Sequence, residues 1–111
     1  MDALAEVTDA TFAAEVLSSD VPVIVEFGAP WCRPCKAIEP ALAEIAAAAA
    51  GRVRLVKLDI DANLRTPSQY GVLSIPTVIL FAGGEARETL AGPHGKSRYA
   101  KAFAPYLDPE A

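Results

Sequence analysis

Apolar positions along this chain fall into runs of two lengths, and the lengths separate strands from helices. Residues 21–27, interrupted only by Glu26, and residues 77–81 are β-branched and aromatic and too short for helices. Unbroken apolar runs of this kind predict central strands buried on both faces. Residues 53–58 alternate loosely between aliphatic and charged side chains and predict a third strand beside the first. Residues 37–50 are alanine-rich, with Ile38, Leu42 and Ile45 spaced four and three apart and Gly51 following, which predicts a helix crossing from strand to strand. Pro40 removes one backbone donor inside that helix and is expected to bend it. Residues 9–17 predict a first helix capped by Thr8 or Asp9, preceded by a short strand over 4–7. Residues 61–70 predict a short third helix, broken by Gly71. Ala82-Gly83-Gly84-Glu85 is a hairpin turn leading into a strand over 86–90. A last helix over 96–107 places Tyr99, Phe103 and Leu107 on one stripe. The order βαβαβαββα joins a right-handed crossover to a terminal antiparallel hairpin. It predicts an α/β fold, a central mixed sheet of about five strands flanked by four helices on both faces.

Composition narrows the class. With 111 residues and 52% hydrophobic side chains, the chain suffices for a single domain spanning 1–111 and not for two. No repeat or linker divides it, and residues 108–111 read as a polar tail. Ten basic side chains against fourteen acidic ones, a net charge of −4, exclude electrostatic capture of nucleic acid or anionic lipid. The N-terminus lacks a basic segment followed by an apolar one, and no apolar stretch reaches the length of a membrane span. A soluble, cytoplasmic monomer without an export signal is therefore expected. Two cysteines do not make a secreted disulfide framework, which favours a reducing compartment.

Those two cysteines carry the chemistry. Cys32 and Cys35 lie in Phe27-Gly28-Ala29-Pro30-Trp31-Cys32-Arg33-Pro34-Cys35-Lys36, where the first apolar run meets the long helix. A disulfide closing so short a loop constrains the unfolded chain very little, so it makes a poor staple. As a switch it works, because thiols at i and i+3 share one helix face. Such a switch needs a thiolate at neutral pH, an exposed attacking sulfur and a second sulfur that resolves the mixed disulfide. Cys32 at the first turn, where free N–H groups and the helix dipole stabilise negative charge, is the expected nucleophile, and Pro34 suits that turn because it gives up no needed donor. Cys35, one turn in, is the resolving thiol. A pair of inert buried cysteines is the plainer alternative. A zinc site is set aside, since about four ligands are needed and the only histidine, His94, is distant in sequence and reads as a loop side chain. Asp59 and Asp61 read as a strand end and a helix cap, with no metal expected. Glu26 is the notable exception in its apolar run: a buried carboxyl costs several kcal/mol unless it is paired or protonated.

Taken together, Trp31-Cys-Arg-Pro-Cys35 with Lys36 and Pro40, Lys57-Leu-Asp-Ile-Asp61, Tyr70-Gly71-Val72, Ser74-Ile75-Pro76-Thr77, Phe81 with Gly83-Gly84, and Gly92 resemble the thioredoxin family over nearly the whole length. The resemblance implies the thioredoxin fold and a thiol-disulfide oxidoreductase that reduces protein disulfides through a reversible Cys32–Cys35 couple, with a lowered Cys32 pKa and no bound cofactor beyond that disulfide. It implies disulfide-containing proteins as substrates and an NADPH-fed thioredoxin reductase as electron source. It places Glu26 as the buried acid that shuttles a proton to Cys35, with Lys57 as its partner, and Ile75-Pro76 as a cis-proline loop. Trp31, Ile75, Pro76 and Gly92 then form the docking surface. The chain departs from the family in four places. Glu26 stands where Asp is usual, so the longer arm either reaches the Cys35 sulfur directly or displaces a relaying water. Arg33 stands where Gly is usual and is expected to favour the thiolate, hence a less reducing couple. Gly28 replaces an aromatic and Pro30 stiffens the approach, giving more backbone freedom at the one and less at the other. Leu73-Ser74 and Ala91-Gly92-Pro93 alter the rim. These departures keep two alternatives open, a more oxidising exchanger and a thioredoxin-fold binding or chaperone-like module.

Overall fold

A computed structural model describes residues 4–107. Five strands form one mixed sheet in the order β1-β3-β2-β4-β5. They are β1 (Ala5–Glu6), β2 (Val23–Gly28), β3 (Arg54–Asp59), β4 (Thr77–Ala82) and β5 (Glu85–Ala91). The helices α1 (Arg33–Ala48), α2 (Arg65–Gln69) and α3 (Lys96–Leu107) join a five-residue π-helical segment, Ala13–Leu17. The tail at 108–111 and the first three residues lie outside the described chain.

The two apolar runs sit where their composition predicts. β2 is buried along its whole length, with β3 parallel on one side and β4 antiparallel on the other. Its alternate residues feed two cores. Ile24 packs with Ile38, Leu42 and Ile45 of α1, Val78 and Leu80 of β4, and Tyr99 and Phe103 of α3. Val23, Val25 and Phe27 pack on the opposite face with Phe12, Val16, Val56, Leu58, Ile79 and Phe81. There the Phe12, Tyr70 and Phe81 rings meet at 5.0–5.8 Å between centroids, mostly edge to face. The β4–β5 hairpin closes through Gly83 and Gly84, with φ of 62° and 81°. Positive φ at both central residues is what a two-residue turn matching the strand twist requires. β5, a sheet edge, exposes Glu85, Ala86, Arg87 and Thr89, and the charges on Glu85 and Arg87 discourage pairing with another chain.

α1 begins at Arg33, ahead of the alanine-rich stretch and as the first-turn placement of Cys32 and Pro34 implies, and runs through exposed Pro40. Two expectations shift. The first helix, expected over 9–17, is regular only as the π-helical segment, led in by a turn over 9–11. Thr8 and Thr11 exchange backbone-to-hydroxyl bonds at 2.9 and 3.2 Å. The Asp9 carboxylate instead caps α2 from 56 residues away, accepting from the Arg65 and Thr66 N–H groups and from the Thr66 hydroxyl. That hydroxyl, together with the two N–H groups, holds the Asp9 carboxyl below its ordinary value against the opposing effect of burial. The third helix therefore starts at Arg65, not near Asp61.

Candidate active site

Strand pairing gathers the expected site residues at one end of the sheet. Phe27, near the end of β2, lies opposite Thr77, the first residue of β4, and Thr77 lies opposite Ala91, the last of β5. The loops carrying Trp31–Cys35, Ile75-Pro76 and Gly92 consequently emerge side by side. β3 ends at the same place, paired with β2 through Gly28 and Asp59, and the Ile60 N–H donates to the Gly28 carbonyl at 2.9 Å.

Cys32 is the N-cap of α1 and is joined to Cys35 by a disulfide, with their Cα atoms 5.3 Å apart. The cap is a sulfur: the Cys35 N–H donates to Cys32 Sγ at 3.2 Å. One of the free donors at a helix start is thus aimed at the atom that carries negative charge when the pair is reduced. Arg33 and Pro34 occupy the first turn, both exposed, and Pro34 costs the helix no donor there. An exposed attacking sulfur was expected, and in the oxidised state Cys32 is only 3% exposed, against 1% for Cys35, because its Sγ turns inward to its partner.

Around the pair, Trp31 is 67% exposed and its Nε1–H donates to the Asp61 carboxylate at 2.6 Å. Asp61, expected as a helix cap, is an anchor for the indole instead. No local sequence signal marks it, since the two residues lie thirty apart. The Ile75–Pro76 bond is cis, Ile75 is half-buried and Pro76 is buried. Gly92, at φ 82°, donates its N–H to the Pro76 carbonyl at 2.8 Å, which ties these two loops together. The hydroxyl of buried Tyr99 fastens the next stretch, accepting from the His94 N–H at 3.2 Å and donating to the Gly92 carbonyl at 3.4 Å. Burial, seconded by the Glu26 charge, pushes the Tyr99 phenol up despite the His94 bond. His94 belongs to this loop, as expected.

Beneath the cysteines lies Glu26, 1% exposed and in register with Lys57 of β3. A cavity of about 410 Å³ reaches this pair, lined among others by Lys36 and Glu39 of α1 and by Asp59. Sequence reasoning missed the last three as site residues. Gly28 needs a different reason from the one expected. It has ordinary strand geometry, so backbone freedom is not its purpose. A Cβ at this position would lie 3.0 Å from Cys35 Sγ and 3.0 Å from Glu26 Oε2.

The thioredoxin family model matches residues 3–104. The chain belongs to the thioredoxin family. It is 44% identical to thioredoxin 1 of Nostoc sp. over 107 residues, covering 96% of this chain and all of that protein. It is 51% identical to a thioredoxin of Rickettsia typhi over 86 residues, 78% of this chain and 82% of the relative, and 43% identical to that of Haemophilus influenzae over 100 residues, 90% and 94% respectively. As a thioredoxin it is a thiol-disulfide oxidoreductase, a protein-disulfide reductase whose redox group is the Cys32–Cys35 disulfide, with no separate cofactor. Family membership implies protein disulfides as substrates and a thioredoxin reductase as source of electrons. Among the described residues no cluster of three or more His, Cys, Asp or Glu side chains could hold a metal ion, and no helix is long and apolar enough to cross a membrane.

Proposed function

We propose that this thioredoxin works as a general cytoplasmic reductant of protein disulfides, a monomer re-reduced by an NADPH-fed reductase, with the work divided among named residues. Cys32 attacks the substrate disulfide and forms a mixed disulfide. Glu26 takes the proton of Cys35, and the Cys35 thiolate displaces the reduced substrate thiol. Lys57 steadies the Glu26 charge. Trp31, Ile75, Pro76 and Gly92 receive an extended substrate segment, and Arg33 and Pro34 adjust the first turn of α1 around Cys32. The observation that carries this reading is the Cys32 sulfur capping α1 while the Cys35 sulfur and a Glu26 carboxyl oxygen, on a residue 1% exposed, both border the side-chain position of Gly28. A buried acid with a lysine in register beside it is an arrangement suited to proton transfer within the site.

The division of labour is tested with serine variants and a protein disulfide substrate. Cys32→Ser abolishes turnover, whereas Cys35→Ser performs the first attack and accumulates a covalent mixed disulfide visible by mass spectrometry. Equal residual turnover in both variants would sink the assignment. A double Cys→Ser protein that still supports the cellular role would favour the binding-module alternative.

A further inference from the structure

Gly28 occupies the last position of β2, two residues beyond Glu26 and therefore on the same face of the sheet. Glycine weakens a strand, and nothing in the backbone here calls for it. The reason is space. A single added methyl would touch both Glu26 Oε2 and Cys35 Sγ at 3.0 Å, and Cys35 Cβ at 3.2 Å, well inside the ~3.5–4.0 Å at which non-bonded carbons rest. The carboxyl oxygen and the sulfur thus both border the point where a Cβ would stand, and glycine leaves that point empty. Both groups sit in crowded settings, Glu26 on a strand paired on both sides and Cys35 in the first turn of α1, each 1% exposed.

We propose that Gly28 is a positioning residue for the resolving step, keeping open the space across which the Glu26 carboxylate takes the Cys35 proton directly. The inference rests on the roles assigned above to Glu26 and Cys35. The Cys35 S–H bond breaks and its proton goes to the Glu26 oxygen. The thiolate then attacks Cys32 Sγ in the mixed disulfide, the Cys32–Cys35 bond forms, and the substrate leaves as a thiolate that is protonated by water. Two electrons pass from the dithiol to the substrate disulfide. Glu26 loses its proton to solvent through the cavity that it lines together with Gly28, past Lys57 and Lys36. Proton transfer needs the two heavy atoms within hydrogen-bond reach, so a methyl that wedges them apart slows this step and no other.

The experiment reads the two sulfurs separately. Reduced protein mixed with dithiobis(nitrobenzoate) releases one coloured thiolate when Cys32 attacks and a second when Cys35 closes the disulfide. Gly28→Ala slows the second release about tenfold, a fraction of the 10²–10⁴ that general base catalysis supplies, and leaves the first unchanged. In a Glu26→Gln background, where the side chain keeps its shape and loses its basicity, adding Gly28→Ala has no further effect. The same slowing in both backgrounds would show that alanine acts only through packing and would overturn the proposal, as would an unaltered second release in Gly28→Ala itself. Should that variant fold too poorly to assay, Glu26→Asp reaches the same point from the other side. Withdrawing the carboxylate by one methylene slows the second release if transfer is direct, and an undiminished rate overturns direct transfer. A Cys35→Ser protein that still gave both releases would instead defeat the cysteine assignment, a failure distinct from that of Gly28.

Discussion

The two faces of β2 are built from the same six residues and do opposite jobs. One face presents Val23, Val25 and Phe27, all closed into the core shared with Phe12, Leu58, Ile79 and Phe81. The other presents Ile24, Glu26 and Gly28: it begins as core against Leu42 and Phe103, then carries a buried carboxylate, and ends with no side chain at all beside Cys35. Period-two alternation makes this possible, because a polar residue on one face leaves the packing of the other untouched. The strand can therefore close one core with one face and hold a buried carboxyl near Cys35 with the other.

If that division is real, substitutions on the two faces should move stability and chemistry independently. The largest effect is expected on the apolar face. Phe27→Ala removes a fully buried ring and lowers the unfolding free energy by about 3–5 kcal/mol in urea titrations, while the reduction potential of the folded protein stays where it was. A matching shift in potential would mean that the faces are coupled. Glu26→Leu should run the other way. Replacing a carboxyl buried to 1% exposure with an apolar side chain of similar size removes its desolvation cost and stabilises by about 1–3 kcal/mol, because half-buried Lys57 lines the cavity and is hydrated there, and it slows release of the mixed disulfide. Lower stability with intact turnover would break the comparison. Arg33→Gly, beyond the end of the strand and exposed, sharpens it from outside. Loss of a solvated cation beside Cys32 makes the couple more reducing by about 30 mV at most, measured by equilibration against glutathione, and an unchanged potential would show that the guanidinium does not act on the thiolate.

How far the sequence foretold this depends on the range of the interactions. β2 and β4 were legible because central strands announce themselves by unbroken apolar runs, and α3 matches its expected bounds because Tyr99 and Phe103 keep helical spacing. The hairpin was legible from Gly83-Gly84, whose turn is decided within four residues. The first helix was not, since the fate of Asp9 is settled by N–H groups 56 residues away. The site divides the same way. The cysteines and the anomaly of Glu26 can be read off the chain, as can its register with Lys57 once the strands are paired. Asp61 beneath the indole and the vacancy at Gly28 cannot, because each is defined by an atom from a distant segment.

One consequence concerns light rather than chemistry. Trp31 is the chain's sole tryptophan, and it stands outside both cores, two thirds exposed and one residue from the disulfide. Its emission gains little from unfolding, since the ring already meets water in the native protein. Opening the neighbouring disulfide removes a strong quencher, while the indole N–H stays anchored to the Asp61 carboxylate. Tryptophan fluorescence is accordingly a gauge of oxidation state, while the integrity of the interior has to be followed through its buried tyrosine and phenylalanines.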